Sequence, residues 1–274
     1  MPEKKNEATA APWQLKMFNR SLKKKMKVAA LARHFPPLAG RRCLLVTCGD
    51  NNGAINYKIR AMGGSWTWAD FEAQGIAGME ELLGETVVRL DRAAAQLPFA
   101  DGEFDLAVSV DVHEHLEDPL PVTRELARVT RAGGTVILTT PNGNERKLAV
   151  RIKKAVGMDA RAYGHRRTGF DLPDLRRLAE AAGLTFRRGS SYARFFTEML
   201  ELAINFMYVK VLAKKSAAPV EEGTIAPVRR DQLEAVKKSY RAYSIVYPFF
   251  WIVSRLDYLV AFTRGYAVVL EAGR

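Results

Sequence analysis

The feature that most constrains this chain is a repeated punctuation, in which apolar runs of strand length each stop at an acidic residue before a helical stretch begins. Ser65 to Ala69 stops at Asp70, Glu85 to Leu90 at Asp91, and Phe104 to Val110 at Asp111. An earlier run, Cys43 to Thr47, ends in the turn formers Cys48-Gly49-Asp50-Asn51-Asn52-Gly53, followed by helical spacing from Ala54 to Met62. The period continues with a helix over Pro119 to Thr130, a turn at Ala132-Gly133-Gly134 and a β-branched strand over Thr135 to Thr140. A helix over Pro173 to Ala182, stopped by Gly183, and strands near Leu184 to Ser190 and Gly265 to Leu270 complete it. Strands alternating with helices build a mostly parallel, doubly wound sheet. Ligands of such sheets bind beyond the carboxyl ends of the strands, where these acids stand.

A chain of 274 residues with 48% hydrophobic and 26% charged residues can bury a core and is neither disordered nor polytopic. Its two cysteines, Cys43 and Cys48, cannot build a disulfide framework or a cysteine zinc site, which fits a reducing cytoplasm. The net charge of +12 points to an anionic partner: nucleic acid, an acidic lipid surface or a charged substrate. Met1 to Ala11 lacks the apolar stretch of a secretory signal. The most apolar run, Ile245 to Phe262, is interrupted by Pro248, Arg255 and Asp257, whereas a spanning helix needs about 20 mostly uncharged residues; lying on a membrane fits better than crossing one.

Four segments follow. Residues 1–37 carry a basic amphipathic helix over 12–35, with Leu15, Phe18, Leu22, Met26 and Ala29 on one face and Lys16, Arg20, Lys23, Lys24, Lys25 and Lys27 mostly elsewhere. Residues 38–192 form the core, 193–264 a hydrophobic helical insertion and 265–274 a last strand. In the insertion, Phe195 to Leu212 is apolar around nearly its whole circumference and Tyr243 to Phe262 is rich in aromatics, with a loop-like Lys214 to Arg230 between. A closed cap, a dimer surface and a membrane interface all remain open for these helices.

The loop after Thr47 has small residues that let backbone N–H groups approach a ligand. Asp70 can accept both hydroxyls of a ribose.

In order along the chain, Leu97-Pro98-Phe99, Asp101, Phe104-Asp105, Glu114-His115, Asp118-Pro119, Glu125, Arg128-Val129, Gly133-Gly134 and Thr140-Pro141-Asn142 resemble the class I S-adenosylmethionine-dependent methyltransferases of the broad ubiquinone/menaquinone-biosynthesis type. The resemblance covers residues 40 to 190. It implies an α/β fold with a Rossmann-like seven-stranded sheet, its last strand antiparallel between the fifth and sixth, and S-adenosyl-L-methionine as cofactor. It also implies cofactor contacts from Thr47, Cys48, Gly49, Asn51, Asn52 and Gly53, from Asp70 and Phe71, from Asp91 and Arg92, and from Asp111. Leu45, Thr47 and Asn51 replace the usual acid and glycines of the first motif, and Ala93 stands where the adenine-contacting acid is usual. Asn51 and Asn52 tolerate left-handed geometry, so the turn can survive.

His113 and His115 follow the fourth strand beside the expected methyl position, where a neutral histidine can take a proton from an acceptor hydroxyl. Asp111-x-x-Glu114-His115 also resembles the Glu-x-x-Glu-His site of ubiquinone-type O-methyltransferases, which implies a divalent cation such as Mg2+. The sequence itself assigns no metal ligand, and helix capping by Glu114 with packing by His115 is the plainer alternative. His165 stands among Arg146, Lys147, Arg151, Lys153, Lys154, Arg161, Arg166 and Arg167, either a solvated basic face or a landing site for phosphate or carboxylate. The expected function is methyl transfer, as an O-methyltransferase, to a hydrophobic or lipid-linked acceptor at the cytoplasmic face of the cell membrane. A soluble small-molecule methyltransferase and a degenerate binding or scaffold fold are the alternatives. Nucleic acid is not an expected partner, because neither an Asn/Asp-Pro-Pro-aromatic motif nor a catalytic Pro-Cys pair occurs.

Overall fold

The computed structural model describes residues 11–49, 51–92, 96–212 and 226–274. Asp50, Ala93 and most of the Lys214 to Arg230 loop lie outside the described residues. Seven strands form one sheet: β1 (Arg42–Thr47), β2 (Ser65–Asp70), β3 (Val87–Arg89), β4 (Phe104–Val110), β5 (Thr130–Pro141), β6 (Thr185–Tyr192) and β7 (Ala267–Gly273). Their order is β3-β2-β1-β4-β5-β7-β6, with β1 to β5 paired in parallel and β7 antiparallel to both neighbours. This is the Rossmann-like methyltransferase sheet with its reversed last strand. Cys43 to Val46 and Leu106 to Val110 are buried on both faces of the sheet, which is why these strands read as continuous apolar runs instead of alternating ones.

Helices α3 (Ala54–Arg60), α4 (Ala73–Leu83), α5 (Leu120–Val129), α6 (Leu148–Ala155) and α7 (Leu172–Ala181) connect the strands. One apolar cluster on the sheet gathers Leu44, Val46, Leu126, Leu138 and Leu175, another Leu45, Ile59, Trp68, Met79 and Val108. The strand order reverses between β1 and β4, so a crevice opens beyond Thr47 and Val110.

Two elements differ from expectation. The single helix over 12–35 is two, α1 (Trp13–Asn19) and α2 (Leu22–Ala32), because Ser21 caps the second: its Oγ accepts the Lys24 N–H at 3.2 Å. Strand β5 starts before the glycine turn: Thr130 already pairs with Phe104, and the register slips before Thr135 joins Leu106. The insertion holds α8 (Phe195–Phe206), α9 (Arg230–Ala235) and α10 (Lys237–Ser254). It leaves and returns at one edge of the sheet, where the Tyr266 N–H donates to the Ala193 carbonyl at 2.7 Å. Among the described residues, no helix is long and apolar enough to cross a membrane.

Candidate active site

The loop after β1 is held by side chains where glycines were expected to serve. Asn51 Nδ2 donates to Asn56 Oδ1 at 2.7 Å, while Asn51 Oδ1 accepts from the Gly53 N–H at 3.0 Å and Asn52 Oδ1 from the Ala54 N–H at 3.3 Å. Neither asparagine is left-handed; Gly49 and Gly53 supply the positive φ angles, +81° and +87°. Gly53 caps α3 from outside the cavity.

Asp70, expected to hold the ribose, does not line the cavity in this structure. It is fully buried, with Oδ1 accepting from the Gly49 and Glu72 N–H groups at 3.0 and 2.7 Å and Oδ2 accepting from the Thr47 hydroxyl. Burial raises its pKa against these stabilising bonds. Its role is to tie the ends of β1 and β2 together behind the loop. The acid that faces the crevice is Glu72, paired with Arg92. A Cβ on Gly49 would lie 3.0 Å from Glu72 Cγ, a tight contact, and the φ of +81° there also favours glycine. Phe71 is buried beneath it, and with Asp91 and Arg92 bounds a smaller hollow beside the main cavity.

The main cavity, about 880 Å³, is near the top of the usual ligand-site range of ~300–1,000 Å³. Thr47, Cys48, Gly49, Asn51, Asn52, Glu72 and Arg92 line its floor; Asp111, Glu114, His115 and His165 line the middle. His113 is elsewhere: it is fully buried, its ring nitrogens 3.3 Å from Ser109 Oγ and 3.1 Å from Thr123 Oγ1, and it packs behind β4. Its pKa is lowered by burial to about 4. Three residues of helical trace after β4 turn it inward while His115 turns outward.

Burial and the Arg92 charge lower His115 to about 4, so its ring is neutral at pH 7. Nδ1 lies 3.2 Å from the Gly164 carbonyl, which can only accept; Nδ1 therefore carries the proton and Nε2 is the basic nitrogen. His165 meets it edge-on at a centroid distance of 4.6 Å and is held neutral, down to about 2, first by burial, then by the adjoining His115 ring, which disfavours a second charge beside it, and by the positive charges of Lys153, Lys23 and Lys27. Glu114 is fully buried, and its pKa is pushed well up by burial and by the Asp111 charge. Thr140 Oγ1 donates to its Oε2 at 3.1 Å, while Oε1 has no partner among the described residues. Ligand atoms of Glu114, His115 and His165 lie within 4.8 Å of one another, a set that could hold a cation.

The roof of the cavity was not legible in the sequence. Lys23 of α2 and Lys153 of α6 both pair with Glu198 of α8. Burial opposes ionisation of Glu198, but the two lysine charges and their hydrogen bonds hold it at about 2. Lys27 reaches Asp111, whose backbone is left-handed, with a φ of +51° that is uncommon outside glycine and that aspartate tolerates better than most residues. Tyr163, Tyr208 and Tyr243 complete the walls. In the sequence these lysines belong to a basic helix face; only their spacing of four, Lys23 and Lys27, hinted that two of them share a direction.

The order of strands and the reversed β7 define the class: the S-adenosylmethionine-dependent methyltransferase fold. Residues 44–138 match the family described as "Methyltransferase domain". It is similar to a ubiquinone biosynthesis O-methyltransferase of Dechloromonas aromatica, 32% identical over 39% of this chain and 47% of that protein. It is also similar to the ajmaline N-methyltransferase of Rauvolfia serpentina, 40% identical over 24% of this chain and 22% of the relative. The matched stretch spans less than half of the length of these relatives. Among solved structures, the S-adenosylmethionine-dependent methyltransferase of Mesorhizobium loti is 14% identical with a TM-score of 0.54, covering 90% of this chain and 96% of that one. Phosphoethanolamine N-methyltransferase 2 of Haemonchus contortus, bound to phosphomonomethylethanolamine and S-adenosylhomocysteine, is 18% identical with a TM-score of 0.56, covering 91% and 52%. Both share the fold.

Proposed function

We propose that this chain transfers the methyl group of S-adenosylmethionine to an oxygen of a hydrophobic or lipid-linked acceptor, at the cytoplasmic face of the membrane. The observation that carries the reading is the continuous cavity joining the β1 loop and Glu72 to a neutral His115 and onward to the aromatic insertion. The residues present suit the cofactor: a glycine-tight loop, a carboxylate in Glu72 for two vicinal hydroxyls, and Asp111, whose Oδ1 has no partner among the described residues. When bound, it supplies an electrophilic methyl carbon on a sulfonium, open to in-line displacement.

This chain's own residues do the rest. His115 Nε2 accepts the acceptor's hydroxyl proton as oxygen attacks, while Gly164 fixes the ring through Nδ1. His165 and Tyr163 close the site from the side and limit water. Lys27 holds Asp111 in its left-handed turn, and Lys23 and Lys153 favour an acceptor with a polar or anionic head below its apolar body. If the trio of Glu114, His115 and His165 took a divalent cation instead, His115 Nε2 would be a ligand and not the base, and the cation would lower the pKa of a coordinated hydroxyl. Calorimetric titration with S-adenosylhomocysteine tests the reading; saturable heat at one site is expected, and its absence would return the chain to a binding or scaffold role.

A further inference from the structure

Helix α10 has two apolar faces, one on the cavity and one on the outside. Tyr243, Val246 and Phe250, spaced by three and four, line the cavity. Ile245, Phe249 and Ile252, spaced by four and three and about a third of a turn away, face outward at 80%, 62% and 60% exposure. The stripe continues past the helix through Leu259 to Phe262, 86% exposed. So large a set of exposed apolar side chains on one helix calls for a partner.

The charge around the stripe says which. Between residues 237 and 264 the exposed charges are Lys237, Lys238, Arg241, Arg255 and Arg264, all positive. The one acid in that stretch, Asp257, is buried and accepts the N–H groups of Arg194, Phe196 and Thr197 at the start of α8. Arg255 stacks on the Trp251 ring at 4.3 Å, an arrangement that suits a headgroup layer, where rings and cations meet phosphate. Two copies paired through this face would set like charges against each other, whereas an anionic bilayer neutralises them.

We infer that the outer face of α10 and its continuation to Phe262 dock the protein flat on an anionic lipid bilayer, and that the acceptor passes from the bilayer around α10 into the cavity. Val246 and Met207 mark the passage: both line the cavity, and both are exposed, at 45% and 51%. The route rests on the acceptor reading above; the docking does not.

The experiment is co-sedimentation with vesicles of phosphatidylcholine alone and of phosphatidylcholine mixed with phosphatidylglycerol, at low and high salt, without cofactor. The wild type should pellet with the anionic vesicles and bind them less at high salt. Phe249→Ser/Ile252→Ser/Phe262→Ser should weaken that binding by about tenfold or more, and Lys238→Glu/Arg241→Glu should abolish the preference for anionic lipid. Both variants change exposed side chains, and an unchanged melting temperature with unchanged S-adenosylhomocysteine affinity would confirm that they are folded. Binding that is absent, indifferent to both variants, or replaced by a concentration-dependent dimer that the triple variant dissolves would overturn the docking. Docking without any cofactor heat would instead defeat the methyltransferase reading alone.

Discussion

In the floor of the cavity, the groups that shape the site find partners nearby in the chain: Asp70 reaches Gly49, Glu72 and Thr47, at most 23 residues away, and Asn51 reaches Asn56 and Gly53. In the roof, Lys23 meets Glu198 across 175 residues, Lys153 meets it across 45, and the Tyr243 hydroxyl donates to the Arg20 carbonyl across 223. The floor is a set of short backbone-anchored bonds at strand ends, whereas the roof is three separate segments pinned by buried charge. The floor can therefore be preorganised by the sheet alone, and the roof depends on the insertion and the N-terminal helices arriving together. This separates what binds a cofactor from what selects and encloses an acceptor.

The largest expected effect falls where floor and roof meet. His115→Ala should lower turnover about 10²–10⁴-fold if the ring takes the proton, while leaving S-adenosylhomocysteine affinity unchanged. The pH profile sharpens this. Because His115 titrates at about 4, turnover should hold through pH 6.5 and fall only as pH approaches 4. Stability needs to be followed in the same samples. His113, neutral and buried, also has its folded pKa lowered to about 4, below the unfolded value near 6.5. The unfolded state takes up that proton first, so the stability His113 contributes is complete above pH 6.5 and is lost as pH falls toward 4. An acid limb of turnover that is the same in the wild type and in the residual activity of His115→Ala, in a folded protein, would remove His115 as the base.

Next comes the roof. Glu198→Ala leaves Lys23 and Lys153 facing each other with no carboxylate between them, and should cost about 3 kcal/mol of folding stability. Chemical denaturation measures it. If the roof is independent of the floor, cofactor affinity should survive this loss; a parallel collapse of affinity would break the distinction drawn above.

Within the floor, Glu72 and Asp70 can be told apart. Glu72→Ala should weaken cofactor binding by roughly 1.5–3 kcal/mol, the loss of a charged acceptor for two hydroxyls, with little change in stability. Asp70→Asn should do the reverse at first, loosening the loop and lowering the melting temperature, because its carboxylate serves Gly49, Glu72 and Thr47. Equal effects on affinity alone would return the ribose to Asp70.

These pairs also show where the sequence was informative. A strand that must be buried on both faces writes itself as an apolar run, and its stop is a local event, so β1, β2, β4 and the cavity edge are legible in the order of residues alone. The reversed β7 came through family resemblance. Asp70 and Glu72 stand two apart on extended chain and a turn, and their side chains divide between the interior and the crevice according to hydrogen bonds that no spacing records. His113 and His115 divide likewise. The Lys23–Glu198–Lys153 arrangement is three distant segments, and nothing in the local pattern of α2 distinguishes a lysine that goes into a cavity from one that goes into water.

The break between α1 and α2 gives the smallest effect and a direct test of that last point. The apolar positions from Leu15 to Ala29 fit one helix, and alanine at 21 would favour continuing it, since alanine has the highest helix propensity. In the fold, Ser21 is extended, with φ −100° and ψ 125°, and its hydroxyl accepts the Lys24 N–H. Ser21→Ala should therefore cost about 1 kcal/mol, the usual loss of an N-cap, measured by denaturant titration. It should also loosen α2, which carries Lys23 and Lys27 into the cavity, so the cost should shrink when Glu198→Ala has already released that helix. A neutral or stabilising result would mean that α1 and α2 form one helix in solution. The two lysines would then leave the cavity, and the roof would lose the charge that distinguishes it from the floor.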